Sequence, residues 1–330
     1  MANYKDIHGT NIETVTSDPD NPVNGQVWYN SSDQALRGFK SNPAGSWASG
    51  GNMNTAKSTN GTAGTQTAGI TFSGNGPPPG HTADTELYDG SSWTEVNNVN
   101  DARANGAGLG TQTSALFAGG VSPGATANSE EWDGTNWAEG NNLNTARYGI
   151  RGCGTQTAGL VFGGYTTPPG TTRDETEEYD GTSWSEQNDL NNAKDSCMSA
   201  GTQTAGLGAG GYLDGSANQA HSEEYDGTSW TEGNNLNTAR YALAGAGLQT
   251  AGLAFAGYVH PSPGNQVLTE NYDGTSWSEV ADMPTAKASL GGAGTNTSAF
   301  SAGGDIPTPA IVVTSEEWSG VASVETVAVD

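Results

Sequence analysis

Six tryptophans recur at a nearly fixed interval along the chain. They are Trp47, Trp93, Trp137, Trp184, Trp230 and Trp277, with gaps of 46, 44, 47, 46 and 47 residues. A period of this length is one supersecondary unit copied in tandem, and it constrains the fold before any single residue is read. A chain of 330 residues would ordinarily divide into about two domains. Six like copies predict one closed body instead. Specific chemistry is then expected where the copies differ.

The third unit displays the pattern. It opens with Asn144 to Arg147, runs through Tyr148 to Cys153, turns at Gly154 to Thr157 and continues as Ala158 to Tyr165. A Pro-containing loop follows, and the unit ends with Glu177 to Trp184. The Gly-x-Gln/Asn-Thr turn recurs with Thr67, Thr113, Thr157, Thr204, Thr250 and Thr297 in register. A short polar break between two apolar runs predicts a tight hairpin. Asp-Gly recurs at Asp89, Asp133, Asp180, Asp226 and Asp273, between an aromatic strand and a Trp strand, and predicts a second hairpin. Each unit therefore holds four short strands, a to d. Strand a is built of small residues such as Gly106 to Gly108, and strand d carries the Trp. Small residues inside and large ones outside suit the taper of a propeller blade.

Composition agrees. There are 49 glycines and the apolar fraction is only 33%. Long helices are disfavoured, since each interior glycine costs a helix about 1 kcal/mol. Net charge is −25, from 36 acidic and 11 basic residues, too few cations for a phosphate-binding surface. The same balance disfavours an anionic membrane, and no run approaches 18 apolar residues, so no nucleic-acid partner and no membrane insertion are expected. Cys153 and Cys197 are the two cysteines, so no disulfide framework is expected. The first residues, MANYKDIHGTNIETV, contain no apolar signal segment.

The Gly doublets closing strand b (Gly119-Gly120, Gly163-Gly164, Gly210-Gly211, Gly303-Gly304) resemble those of the kelch repeat family. So do the aromatic-Asp step five residues before each Trp and the basic residue opening each unit. The resemblance covers residues 50 to 320. Two units depart from the doublet, with Ser73-Gly74 and Ala256-Gly257. A WD40 reading is weaker, because Trp-Asp occurs in one unit, at Trp132-Asp133. The resemblance implies an all-β, six-bladed kelch-like β-propeller with an N-terminal arm and hairpin. Residues 1–50 would supply the arm, the hairpin and a ring-closing strand, and residues 51–330 the propeller. Trp47 precedes the first strand a, and no Trp follows Trp318. The strand of Trp47 is accordingly expected to complete the last blade.

Residues 21 to 40, NPVNGQVWYNSSDQALRGFK, resemble a short hairpin of bacteriophage tail-fibre and other virion proteins. That resemblance implies a virion component, tail-associated, made in a host cytoplasm. Trp28, Tyr29 and Phe39 are its candidate docking residues toward other virion proteins.

The basic series Lys57, Arg103, Arg147, Lys194, Arg240 and Lys287 has two readings. Each pairs with a repeat Glu or Asp, or together they form a positive ring around a channel that holds an anion. The four histidines show no metal-ligand spacing. Some kelch-like propellers are copper oxidases built on Tyr, His and a modified Cys; here no strand-a His accompanies Cys153 or Cys197. Hydrolase, zinc-protease and nucleotide-loop motifs are absent. These observations predict a protein that is not an enzyme and needs no cofactor. Variation between copies is concentrated in the b–c loops. Candidate contacts to a host surface glycan or protein are therefore His81, Asp214, His221, His260 and Pro263. The alternatives are a capsid or tail decoration protein without host contact, and an oxidase or lyase.

Overall fold

The structure is a computed structural model. It describes residues 12–17, 27–32, 34–77, 80–167, 170–213, 218–262, 264–307 and 310–326. Within them every regular element is a strand.

The third unit forms an antiparallel sheet of Arg151–Thr155, Ala158–Phe162, Thr176–Tyr179 and Trp184–Glu186, in that order from inside to outside. Its two hairpins have different causes. Thr155 pairs with Ala158, leaving two residues for the first turn. In the second, the Asp180 carboxylate accepts the N–H groups of Thr182 and Ser183 at 2.8 and 2.7 Å, and Gly181 takes φ +87°. The aspartate fixes the turn by standing in for a backbone acceptor. The same bonds hold Asp89, Asp133, Asp180 and Asp226 below the usual carboxylate range.

Four further sheets repeat this order. The sixth takes Gly291–Gly294, Ser298–Ala302 and Ser315–Thr326 from the C-terminal end, and Ala35–Ser49 from the N-terminal end. Trp47 pairs with Trp318. Val27–Asn30 and Glu13–Val15 extend this sheet outward. The six inner strands stand side by side around an axis, with Gly291–Gly294 next to Gly61–Thr65, so the sheets form a closed β-propeller.

Closure is written in three kinds of bond. Around the axis runs a continuous circle of backbone hydrogen bonds, one per sheet. Thr59, Asn105, Gly149, Ser196, Ala242 and Ser289 each donate an N–H to the carbonyl of the member before it, and Thr59 donates to Ser289. All six sit at φ between +51° and +66°, five of them without being glycine. Farther out, each outer Trp donates its indole N–H to a hydroxyl that opens the third strand of the preceding sheet. Trp137 reaches Thr85, Trp230 reaches Thr176, and Trp93 reaches Ser315 of the sixth sheet. Trp47 takes the same place, donating to Thr269 Oγ1 at 3.0 Å, with its ring 5.0 Å from Phe255. Thirdly, the phenols of Tyr88, Tyr179, Tyr225 and Tyr272 donate to Glu317, Glu131, Glu178 and Glu224 of the preceding sheets.

The core lies between sheets. Trp93, Trp137, Trp184, Trp230 and Trp277 are 5–7% exposed, each against the neighbouring sheet's apolar face. A buried Trp removes about 150–250 Å² from water, which lets so glycine-rich a chain hold a core. The recurring Gln explains the constancy of the first turn. Gln156 Nε2 donates to the carbonyls of Ala115 and Trp132 in the sheet before it, and Gln66, Gln112, Gln203 and Gln249 do likewise.

The glycine doublet has an equally local cause. Its first position has φ +55° to +72° in all six sheets, a left-handed conformation that Ser73 and Ala256 also adopt. Its second position has φ +100° to +116°, where a Cβ is far more strained, and there all six residues are Gly. The two departures from the doublet are thus the tolerable ones.

Candidate functional site

The basic series is not a positive ring. Lys57, Arg103, Arg147, Lys194, Arg240 and Lys287 are fully buried and paired with Glu86, Glu130, Glu177, Glu223, Glu270 and Glu316 of their own sheets. In the third sheet Glu177 accepts Arg147 Nη2 on one oxygen at 2.8 Å. The other oxygen accepts the backbone and side-chain amides of Asn144 at 2.7 and 3.0 Å. With both carboxylate oxygens bonded, and Arg147 Nε the one guanidinium nitrogen left over, the buried pair ties the start of the blade to its third strand. The anion-holding reading of these six residues is therefore corrected.

With the turn face and the ion pairs engaged in the scaffold, the face carrying the b–c loops remains. In every sheet the residue after the basic residue bridges the residue after the glycine doublet: Ser58 with Asn75, Ala104 with Val121, Tyr148 with Tyr165, Asp195 with Tyr212, Tyr241 with Tyr258, and Ala288 with Asp305. The doublet's strained backbone turns the chain so that this second residue lies over the first. Two concentric sets of side chains thus surround the channel mouth, and they differ sharply from sheet to sheet.

Over the third to fifth sheets the two sets carry five half-buried tyrosines. Tyr148 and Tyr165 meet edge to face at 5.5 Å; Tyr212 and Tyr241 lie at 5.2 Å across a sheet boundary, and Tyr241 and Tyr258 at 5.6 Å. Burial pushes the Tyr148 phenol up, helped by Tyr165 and Asp195. Burial does the same at Tyr241, helped by Tyr258, Tyr212 and Asp195. These groups stay protonated donors at neutral pH.

Between the fifth and sixth sheets the arc ends in a cavity of about 520 Å³, within the range of small-ligand pockets. Tyr241, Tyr258, Asn265, Ser289, Asp305 and Ile306 are among its walls. Burial raises the Asp305 carboxyl, opposed by the hydroxyls of Ser58 and Ser289. Aromatic faces, phenol donors and one carboxylate are suited to a polar ligand with apolar faces. The sequence signal for this arc is the pair Arg-Tyr and Gly-Tyr, at Arg147-Tyr148, Arg240-Tyr241, Gly164-Tyr165, Gly211-Tyr212 and Gly257-Tyr258, and it was not singled out from the sequence.

Of the residues that were singled out, those described lie on the same loops but not among the walls of the cavity. His81 is exposed, its Nδ1 3.0 Å from Asn75 Oδ1. His221 is half-buried, and its carbonyl accepts the Gly210 N–H. His260 is exposed, its backbone clasped by Asn218 of the neighbouring sheet in two bonds of 3.1 Å. Among the described residues no three histidine, cysteine or acidic side chains form a metal-binding cluster. Asp214 and Pro263 lie outside the described residues. Of the docking candidates, Trp28 is fully buried. Tyr29 is half-buried, and the Phe39 side chain lies outside what is described. Cys153 and Cys197 are buried free thiols, pushed up to about 12 and about 11 by burial, so neither is a thiolate at neutral pH.

No family model and no curated protein matches the chain. Among solved structures it is similar to YjhT, with a TM-score of 0.71 at 9% sequence identity, over 83% of this chain and 99% of that one. The likeness corrects one expectation, that the chain is not an enzyme. That expectation took repetition and missing motifs as signs against catalysis. The shared propeller frame removes its basis, because such frames carry catalytic and non-catalytic sites alike. At this identity the likeness concerns the fold, and the chain has the β-propeller fold.

Proposed function

We propose that this chain is a recognition module of a bacteriophage particle, tail-associated, whose variable face meets a glycan or protein on the host surface. The observation that carries the reading is the tyrosine arc with its adjoining cavity on the face where the copies differ. Half-buried tyrosines held by bridged backbone offer large contact area at low ordering cost. The virion assignment rests on the tail-fibre resemblance of residues 21 to 40. In this reading residues 1–50 attach the chain to other virion proteins and residues 51–330 present the binding face.

The test is competition. The purified chain, added in excess, should block adsorption of the particle that carries it. Adsorption unaffected by saturating free chain, with the protein still located on the particle, replaces this reading with that of a decoration protein.

A further inference from the structure

We propose that the narrow end of the axial channel is a binding site for one small anion, of halide size, built on Arg151. Arg151 opens the inner strand of the third sheet. The equivalent residues of the other five are Gly61, Ala107, Met198, Ala244 and Gly291, so this copy alone places a cation at the axis. Its Nε donates to the Cys197 carbonyl at 2.8 Å and its Nη1 to the Ile150 carbonyl at 3.1 Å. Among the described residues Nη2 has no hydrogen-bond partner and no carboxylate forms an ion pair with the guanidinium.

The surroundings compensate the charge only in part. The channel here is walled by the glycine-rich inner strands with Asn60, Thr62, Met198 and Leu243, and no Asp or Glu is among the described lining residues. Lys194 is paired with Glu223, the Cys197 thiol is neutral, and Asp195 attracts the Arg151 guanidinium without being one of its hydrogen-bond acceptors. Burial opposes the guanidinium charge, yet arginine stays protonated in proteins. A half-buried cation without a counter-charge is costly unless an anion joins it.

A second polar residue lines the same space. Asn60 is 7% exposed, its Nδ2 donates to Thr71 Oγ1 at 2.7 Å, and its Oδ1 is buried without a partner. Amide orientation is set by partners; turning this amide over exchanges the long 3.3 Å bond of the Thr71 hydroxyl to the Gly61 carbonyl for one to Asn60, and puts an N–H donor where Oδ1 now stands. Size decides the class of ligand. The space is about 50 Å³, and one water needs about 10–15 Å³ on this measure. A halide with a water or two fits there, and a sugar or nucleotide does not.

The experiment is diffraction from crystals grown in sodium bromide, with thermal melts in bromide and in gluconate at matched ionic strength. The wild type should show an anomalous bromide peak beside Arg151, and its Tm should rise by roughly 2 °C per tenfold bromide above Kd. In Arg151→Met, which copies the fourth sheet's residue, peak and response should both vanish. An empty channel in the wild type, or a peak that persists in the variant, overturns the proposal. Should Arg151→Met fail to fold, Arg151→Gln is scored the same way.

Discussion

The backbone N–H of Thr59 donates to the carbonyl of Ser289 at 2.6 Å, joining the first sheet to the sixth and completing a circle of six such bonds around the axis. The geometry has a local cost. Thr59 is β-branched and held at φ +53°, a conformation that disfavours L residues by roughly 1–2 kcal/mol. Thr59→Gly should therefore raise stability by about 0.5–1 kcal/mol net of the added chain entropy, and Gly149→Ala should lower it by a similar amount. Urea denaturation of the two variants measures both. A Thr59→Gly protein less stable than the wild type would show that the side chain matters more than the strain.

Closure by the N-terminal strand yields the second prediction. Trp47 supplies the sixth member of the indole circle and packs on Phe255 and Trp318. Trp47→Ala should cost about 3 kcal/mol. Removal of residues 1–50 should lower the melting temperature much further, because it also bares the outer edge of Ser315–Thr326. Scanning calorimetry that finds the truncated chain melting like the full one would mean that the ring holds without this strand.

The buried pairs give a third. Glu177→Ala leaves the Arg147 guanidinium buried without its carboxylate and should cost about 3–5 kcal/mol. The double variant Arg147→Met/Glu177→Leu should recover much of that loss. Chemical denaturation of the single and double variants decides whether the pair is needed for stability or only for order.

Alkaline pH supplies the fourth. Burial and the bond to Glu317 raise the Tyr88 phenol from 10.0 to about 12, and the equivalent phenols of Tyr179, Tyr225 and Tyr272 rise for the same reasons. A group whose pKa is raised by folding stabilises fully below its unfolded value and loses that contribution as pH climbs through the folded one. Stability should thus fall between pH 10 and 12. Tyr272→Phe should weaken the pH dependence. Phenolate absorbance followed through the same titration would contradict this if all tyrosines ionised together near pH 10 while the protein stayed folded.

Much of the scaffold is legible in the sequence, because its signals are periodic. The Trp interval marks the outer strands, Asp-Gly the second hairpins, and the spare Trp47 the strand that joins Trp318. The backbone circle is not legible, since Thr59, Asn105, Ser196, Ala242 and Ser289 share a conformation and no side-chain type. The tyrosine arc escaped for another reason. Tyr148 and Tyr165 are separated by a whole hairpin, and only the bridge across the glycine doublet brings them together. Histidines and prolines drew attention in the loops because they vary; the residues that vary at the fixed bridge positions proved to be the ones assembled.

The central claim is that recognition belongs to this arc, and binding of the purified chain to host cells tests it directly. The double variant Tyr241→Ala/Tyr258→Ala, still folded by circular dichroism, should bind at least about tenfold more weakly, a loss of about 1.4 kcal/mol or more. Thr182→Ala, on the opposite turn face, should bind like the wild type. Unchanged binding by the tyrosine variant, or loss of binding by the turn variant, would contradict the claim.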